Sequence, residues 1–125
     1  MEDFNLVVRE LINQNQDITK ISIPKELIPE FETTAENYLT KESFLEAIKV
    51  FAITKNKDKL NQIGKTCLED KKPEMAFKAF YYSQNKEGLS KTGDEFLKQG
   101  EINNALESFQ LAENKEMIEF LVQNF

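Results

Sequence analysis

The side chains that most often catalyse reactions or bind metal ions are scarce in this 125-residue chain. It contains no histidine and a single cysteine, Cys67, so the commonest general base and the commonest metal ligands are missing. The serine hydroxyls have no imidazole to activate them. The carboxylate pairs Glu69-Asp70 and Asp94-Glu95 are adjacent and point in different directions on a helix, whereas acid-base catalysis needs two carboxylates held across a cleft. We therefore expect no enzyme activity, no catalytic residue, no metal site and no cofactor.

The charge and the composition narrow the classes of partner and compartment. Sixteen basic and 22 acidic residues give a net charge of −6, which argues against a general nucleic-acid binder because such a protein needs a basic face. A lone cysteine forms no internal disulfide. No apolar run reaches the roughly 20 residues of a membrane span, and the acidic start Met1-Glu2-Asp3 does not resemble a signal peptide. We expect a cytoplasmic protein without nucleic acid or membrane insertion.

The elements that must position any site are set by a repeat. Cys67 follows Tyr38 by 29 positions and Phe96 follows Cys67 by another 29, so three copies align without a gap as Tyr38–Thr66, Cys67–Glu95 and Phe96–Asn124. The columns that agree hold alanine (Ala47, Ala76, Ala105), phenylalanine (Phe51, Phe80, Phe109) and asparagine followed by lysine and an acid (Asn56, Asn85, Asn114). A fixed period of this length indicates an array of supersecondary units that bury their apolar faces on one another.

The apolar spacing predicts helices in pairs. We expect a first helix over 3–14, with one apolar stripe formed by Phe4, Val7, Val8, Leu11 and Ile12. After a polar break at 13–17 we expect an extended connector, a short turn at 24–28 that Ser22 caps, and an interruption at Pro29. Three helical hairpins follow, at about 30–41 with 43–54, 58–70 with 73–84, and 87–99 with 102–113. An unpaired helix covers 115–124. The domains are therefore residues 1–29, an N-terminal helix and connector, and residues 30–125, the array.

Two columns predict how each pair packs. Small residues, namely Ala35, Gly64 and Gly93, precede the start of each copy by three positions. A mid-helix glycine costs of order 1 kcal/mol, so its recurrence indicates a close crossing against the second helix of the same pair. Cys67 occupies the column otherwise held by Tyr38 and Phe96, which predicts a core thiol; a reactive thiol is the alternative.

The third copy resembles the tetratricopeptide repeat, through Gly93, Phe96, Gly100, Ile102, Ala105, Phe109 and Ala112. The second copy has Lys71 and the first has Glu42 where that pattern has a turn glycine. The period is also shorter than the roughly 34 residues of that family, and in this the chain is similar to the α-solenoids of coatomer, clathrin and intraflagellar-transport proteins. The resemblance implies an all-α, right-handed α-α superhelix of three helical hairpins with an N-terminal helix and a C-terminal capping helix.

By the same resemblance, the function is non-catalytic protein–protein interaction, as an adaptor or small scaffold subunit. The alternative is a segment of a larger trafficking or coat-type α-solenoid, and a regulatory subunit of an enzyme is a third class. The family binds peptides or helices in a concave groove, which implies a set of groove residues here: Glu32, Glu36, Asn61, Lys65, Ser90, Asp94 and Lys98. A mixed or basic peptide suits this surface, and a merely solvated polar face is the other interpretation.

The last helix has more apolar residues than one buried stripe requires. Ile118, Leu121, Val122 and Phe125 form a stripe that we expect to cover the third repeat, which leaves Met117 and Phe120 over. A capping helix is expected to present a polar outer face. Met117 and Phe120 therefore predict contact with another protein or peptide, a homodimer through the C-terminal helix, or burial within the monomer, and these alternatives remain open.

Overall fold

The computed structural model describes residues 2–14 and 17–125, and in those ranges the chain is all helical, without strands. Eight α-helices succeed one another: α1 Glu2–Asn13, α2 Ile28–Thr40, α3 Phe44–Thr54, α4 Lys57–Glu69, α5 Pro73–Ser83, α6 Lys86–Lys98, α7 Ile102–Leu111 and α8 Lys115–Asn124. Two short 3-10 turns, Ile18–Lys20 and Lys25–Leu27, lie between α1 and α2. All seven helices predicted from the repeat are therefore present within two residues of their expected ends. Residues 15 and 16 of the predicted polar break lie outside the described residues.

The N-terminal segment departs from the predictions in three details. Pro29 does not interrupt a helix, because it lies in the first turn of α2, where its missing amide proton has no helical partner to lose. Ser22 caps no turn; Pro24 precedes the turn at Lys25–Leu27 without a side-chain cap. Val7 is exposed, whereas Val8 and Ile12 of the predicted stripe are buried.

The chain divides into two compact units, Met1–Leu60 and Asn61–Phe125. In the first unit, α2 and α3 form a hairpin, and α1 packs on both of them. The ring of Phe4 meets the buried ring of Phe31 edge to face, with centroids 5.2 Å apart. The first 3-10 turn packs on α3, and its residue Ile18 is buried there. The apolar face of α1 therefore joins the core of the first hairpin.

Close approach of helices through glycine organises the second unit. A Cβ atom built on Gly64 would lie 2.6 Å from the ring of Phe80, and one built on Gly93 would lie 2.7 Å from the ring of Phe109. Such separations do not occur between real side-chain atoms, so the ring lies directly on the helix backbone. The predicted close crossing within each pair is confirmed for the pairs α4 with α5 and α6 with α7.

Every turn from α2 to α8 ends its helix in the same way. The residue at the C-cap or directly after it adopts a left-handed backbone, and its amide and the next amide donate back to carbonyls of the last helical turn. The left-handed residues within pairs are Glu42, Lys71 and Gly100, and those between pairs are Lys55, Gln84 and Glu113. Only Gly100 takes this conformation without steric cost from a Cβ atom.

Glycine at the other left-handed turn positions is expected to stabilise the protein. Lys71 has φ 58°, so we expect Lys71→Gly to raise the free energy of unfolding by about 0.5–1 kcal/mol, or about 2–4 °C in melting temperature. Thermal unfolding followed by circular dichroism measures this shift. Lys78→Gly is the matched control: Lys78 is an exposed lysine in the middle of α5, where glycine is expected to lower stability by about 1 kcal/mol. An equal loss in both variants would contradict the argument.

Candidate functional site

Three of the predicted groove residues, Glu32, Asn61 and Ser90, accept hydrogen bonds inside the fold. Asn61 and Ser90 are half-buried, and each accepts a hydrogen bond from the asparagine that follows the second helix of its pair. Asn85 Nδ2 donates to Asn61 Oδ1 at 3.1 Å, and Asn114 Nδ2 donates to Ser90 Oγ at 3.3 Å. In the first copy, Asn56 Nδ2 donates to Glu32 Oε2 at 2.7 Å. We call this contact of Asn56, Asn85 and Asn114 the asparagine bridge.

Each asparagine of the bridge makes two further hydrogen bonds. Its backbone amide donates to the carbonyl of the repeated phenylalanine, for example from Asn85 to Phe80 at 3.0 Å. Its side-chain Oδ1 accepts from an amide in the first turn of the next helix, as from Gly88 at 2.9 Å. The side chain thus needs one acceptor and one donor at a fixed separation, which a carboxamide supplies and a carboxylate or hydroxyl does not. This explains why asparagine recurs at this position.

The remaining groove residues are more accessible. Lys65, Asp94 and Lys98 are exposed, whereas Glu36, one period before Lys65, forms an ion pair with Lys59 at 2.8 Å. An exposed pair of this kind contributes little to stability. The predicted groove set therefore separates into residues that accept a hydrogen bond from the asparagine bridge and charges that face solvent. The first group is Glu32, Asn61 and Ser90, and the second is Glu36, Lys65, Asp94 and Lys98.

The last helix packs differently from the expectation. Leu121 is buried with Phe96, Ala105 and Phe109, and Ile118 and Met117 pack at the edge of this cluster. The exposed fractions are 48% for Phe120, 68% for Val122 and 75% for Phe125. Val122 and Phe125 therefore do not cover the third repeat, whereas Met117, which the stripe left over, is half-buried against it. We call Phe120, Val122 and Phe125 the outer apolar surface of α8. Val122 and Phe125 lie on one side of this helix and Phe120 lies on the other, because residues two apart on a helix point in nearly opposite directions.

The repeat register could have revealed this surface. Counting back one period places Val122 on Gly93 and Phe125 on Phe96, and Ile118 and Leu121 on Leu89 and Thr92. Gly93 and Phe96 are buried in α6, and Phe109 of the second helix lies on Gly93. Val122 and Phe125 thus occupy columns that are covered in the preceding copy by the second helix of the pair. The spacing of apolar residues within one helix does not show which neighbouring helix covers each of them.

The charges beside the start of α8 are exposed. Lys86 Nζ donates to Glu113 Oε2 at 2.6 Å, and this hydrogen bond and charge hold the pKa of the Glu113 carboxyl below its ordinary value. Because the pKa of Glu113 is lower in the folded chain, its ionised carboxylate stabilises the fold at pH values above the ordinary carboxyl pKa. This contribution is lost as the pH falls through the lowered pKa. The pair is fully exposed, so solvent screens it.

Two cavities of the first unit are lined mainly by polar residues. One of about 170 Å³ is lined by Asn5, Arg9, Thr34, Asn37, Tyr38, Thr40 and Lys41, which is below the roughly 300–1,000 Å³ of pockets for drug-sized ligands. Thr34 Oγ1 donates to Asn5 Oδ1 across it at 3.2 Å. Another, of about 430 Å³, lies beside Glu32 and Asn56. Among the described residues, acidic, cysteine and histidine side chains form no cluster that could hold a metal ion.

No family model matches this sequence, and no curated protein or solved structure is significantly similar to it. Among the residues that the structure describes, none of the helices has the length and apolar character needed to cross a membrane.

The bridge in the first copy predicts a specific loss of stability. In Asn56→Asp, a carboxylate replaces the amide group that donates to Glu32 Oε2, while the oxygen that caps α4 through Lys59 remains. We expect the free energy of unfolding to fall by about 1–3 kcal/mol, measured by urea denaturation. Adding Glu32→Gln is expected to recover most of the loss, since a carboxamide can donate to the new carboxylate. Asn103→Asp, on an exposed asparagine, is the control; a double variant as unstable as Asn56→Asp would contradict the bridge.

Cys67 is expected to react slowly in the native protein. The side chain is 1% exposed, and burial raises the pKa of the thiol, whereas the charge of Lys72 acts in the opposite direction. Less of the reactive thiolate is therefore present at neutral pH. Alkylation with iodoacetamide, followed by mass spectrometry, is expected to be at least tenfold slower in the native chain than in urea. Equal rates in both conditions would make Cys67 an accessible thiol.

Proposed function

We propose that this chain is a non-catalytic protein–protein interaction module, an adaptor or small scaffold subunit, that binds its partner through the outer apolar surface of α8. The observation that supports this most directly is the exposure of Phe120, Val122 and Phe125 on one short helix. Large apolar side chains exposed on one short helix are a feature that interaction sites share. Aromatic residues are also the side chains that most often dominate binding energy.

We further propose that the helices form a tetratricopeptide-like, right-handed α-α superhelix. This proposal is supported by the 29-residue period, by the same turn geometry in every connection from α2 to α8, and by the packing of Phe80 and Phe109 on glycine. These features are local, and each one repeats. An array of this type offers both an extended groove and its terminal helices for binding.

The groove is the weaker candidate surface. Asn61 and Ser90 already use their side chains in the asparagine bridge, so a peptide would have to compete for them or find Lys65, Asp94 and Lys98 alone. Met117 is half-buried against the core cluster and would hold α8 in place. Phe120 would contact the partner. The partner is another protein or a peptide.

The alternative function, a segment of a larger trafficking-type α-solenoid, is favoured by one observation. One period separates α8 from α6, the first helix of the third pair: Ile118, Leu121 and Phe125 align with Leu89, Thr92 and Phe96. The sequence of α8 is therefore that of the first helix of a further pair. In such a solenoid the same surface would pack on the next helix of the array. No observation favours a regulatory subunit of an enzyme.

Capture of partners by matched surface variants tests the interaction. Phe120 and Tyr81 are aromatic residues with nearly equal exposed fractions, 48% and 47%, on α8 and α5. The native chain, Phe120→Glu and Tyr81→Glu are immobilised and incubated with an extract of the cells that produce the protein. We expect a partner retained by the native chain and Tyr81→Glu to bind Phe120→Glu about thirtyfold more weakly, a loss of about 2 kcal/mol.

Circular dichroism must first show that both variants remain folded. Loss of the partner with Lys65→Glu, but not with Phe120→Glu, would move the site to the groove. Light scattering on the same proteins tests the homodimer. A native molar mass of twice 14.5 kDa that falls to the monomer value with Phe120→Glu alone would identify a second copy as the partner.

A further inference from the structure

We propose that the cavity between α1 and α2 binds a dianionic phosphate group, either on a phosphorylated side chain of another protein or on a free small molecule. This is the cavity of about 170 Å³ that Arg9 and Lys41 line, and we call it the basic cavity. It lies in the first unit and shares no residue with the outer apolar surface of α8. The proposal therefore goes beyond the proposed function.

Helical spacing brings polar side chains together on both sides of the basic cavity. Asn5 and Arg9 are four positions apart on α1, so they lie on the same side of that helix. Asn37 and Lys41 are likewise four positions apart, at the end of α2. The buried Thr34 of α2 joins the two helices, because its Oγ1 donates to Asn5 Oδ1 at 3.2 Å. Side chains from both helices can therefore contact one ligand.

The lining of the basic cavity is positive, although the chain as a whole is acidic. Arg9 is the single arginine of the chain, and none of the described residues that line the cavity is acidic. Among the residues whose side chains the structure describes, neither Arg9 nor Lys41 forms an ion pair. The two positive charges are therefore available to an anion.

The end of α2 does not use up these two charges. A helix C-terminus carries a partial negative charge of about one half, which two full positive charges exceed. The last carbonyls of α2 also accept backbone amides, for example that of Tyr38 from Ser43 at 2.8 Å. Neither cation is therefore needed to cap the helix.

Uncharged donors complete the lining. Asn5 accepts from Thr34 through its oxygen, which leaves its Nδ2 as a donor. The hydroxyl of Tyr38 and the Nδ2 of Asn37 have no hydrogen-bond partner among the described residues. The planar guanidinium of arginine binds two phosphate oxygens at once, and lysine binds phosphate as a point charge. Two cations and three neutral donors match a phosphate monoester, which has three acceptor oxygens and a charge of about −1.5 to −2 at neutral pH.

Charge and size distinguish this ligand from other anions. A carboxylate or a phosphodiester carries a single negative charge, so it would leave one of the two cations uncompensated. Nucleic acid also needs a basic surface that neutralises several phosphates. The volume of about 170 Å³ is several times the roughly 30 Å³ of a water molecule, but smaller than pockets for drug-sized ligands. It therefore suits a phosphate group and the first atoms attached to it.

The other two copies of the repeat lack this set of side chains. The column of Tyr38 holds Cys67 and Phe96, which are both buried and carry no hydroxyl. One period after Lys41 stands Asp70, which has the opposite charge. Residues that maintain the repeat recur in each copy, as the asparagine bridge does. The packing of the repeat therefore does not require the polar lining of the basic cavity.

Titration of the full chain with small anions tests the proposal. The probes are N-acetylphosphoserine amide, inorganic phosphate, dimethyl phosphate and acetate, at about pH 7.5 and about 150 mM salt, where general attraction between charges is screened. The NMR signals of the side-chain amides of Asn5 and Asn37 and of the Arg9 guanidinium report on the cavity. We expect N-acetylphosphoserine amide to shift these signals saturably, and dimethyl phosphate and acetate to bind at least tenfold more weakly.

Matched variants show whether the basic cavity is the site. Arg9→Gln and Lys41→Gln are each expected to weaken phosphoserine binding about tenfold, because each removes a charge-assisted hydrogen bond. Arg9→Lys keeps the charge but loses the planar fork, so we expect an intermediate loss. Tyr38→Phe, the residue of this column in the third copy, is expected to weaken binding about threefold. Lys25→Gln, on an exposed lysine outside the cavity, is the control and is expected to change nothing.

The relative affinities also identify the source of the phosphate. Tighter binding of N-acetylphosphoserine amide than of inorganic phosphate would assign the site to a phosphorylated side chain, and the reverse order would assign it to a free small phosphate. Dimethyl phosphate or acetate binding as tightly as the phosphoserine derivative would overturn the proposal, in favour of a phosphodiester or a carboxylate. Absence of saturable shifts, or equal binding by native chain and Arg9→Gln, would also overturn it. Capture of a partner by α8 is tested separately by Phe120→Glu.

Discussion

The asparagine bridge is the constraint on which the repeat depends. One residue joins three parts of the structure: its backbone amide donates to the carbonyl of the repeated phenylalanine, and its side chain contacts the first turn of the next helix and a polar group on the first helix of the pair. A residue inserted between the phenylalanine and the asparagine would break at least one of these contacts. Because a buried polar group without a partner costs free energy, such an insertion is disfavoured. The gapless alignment of the three copies follows from this geometry.

Glycine supplies the second constraint, which acts on the other side of the phenylalanine. The ring of Phe80 lies on Gly64 and Gly88, on the helices before and after its own. The repeated phenylalanine is therefore fixed by its carbonyl at the bridge and by its ring at the small residues. Together these contacts position α8, because Phe109 and Leu121 share one buried cluster. The exposed surface of α8 rests on that cluster.

The sequence predicted the parts of the fold that depend on local patterns. Helix ends followed from turn residues and apolar spacing, and the crossing at Gly64 and Gly93 followed from a column of small residues. The role of Asn61 and Ser90 was missed, because the residue that accepts the hydrogen bond changes type from copy to copy, from Glu32 to Asn61 to Ser90. The exposure of Val122 and Phe125 was also missed, because amphipathicity within one helix does not show which neighbour covers each face. Comparing the copies column by column would have shown it.

The left-handed turns have a consequence for how the chain acquires its structure. Each turn is closed by hydrogen bonds between residues no more than five apart, and each helix packs chiefly on those next to it in sequence. Chains dominated by such local contacts fold in microseconds to milliseconds, and repeats of this kind can nucleate at any position. Each newly synthesised helix can therefore pack at once on the helix that precedes it in the sequence. The preceding helices bury only one side of α8, at Leu121, and leave Phe120 and Val122 exposed.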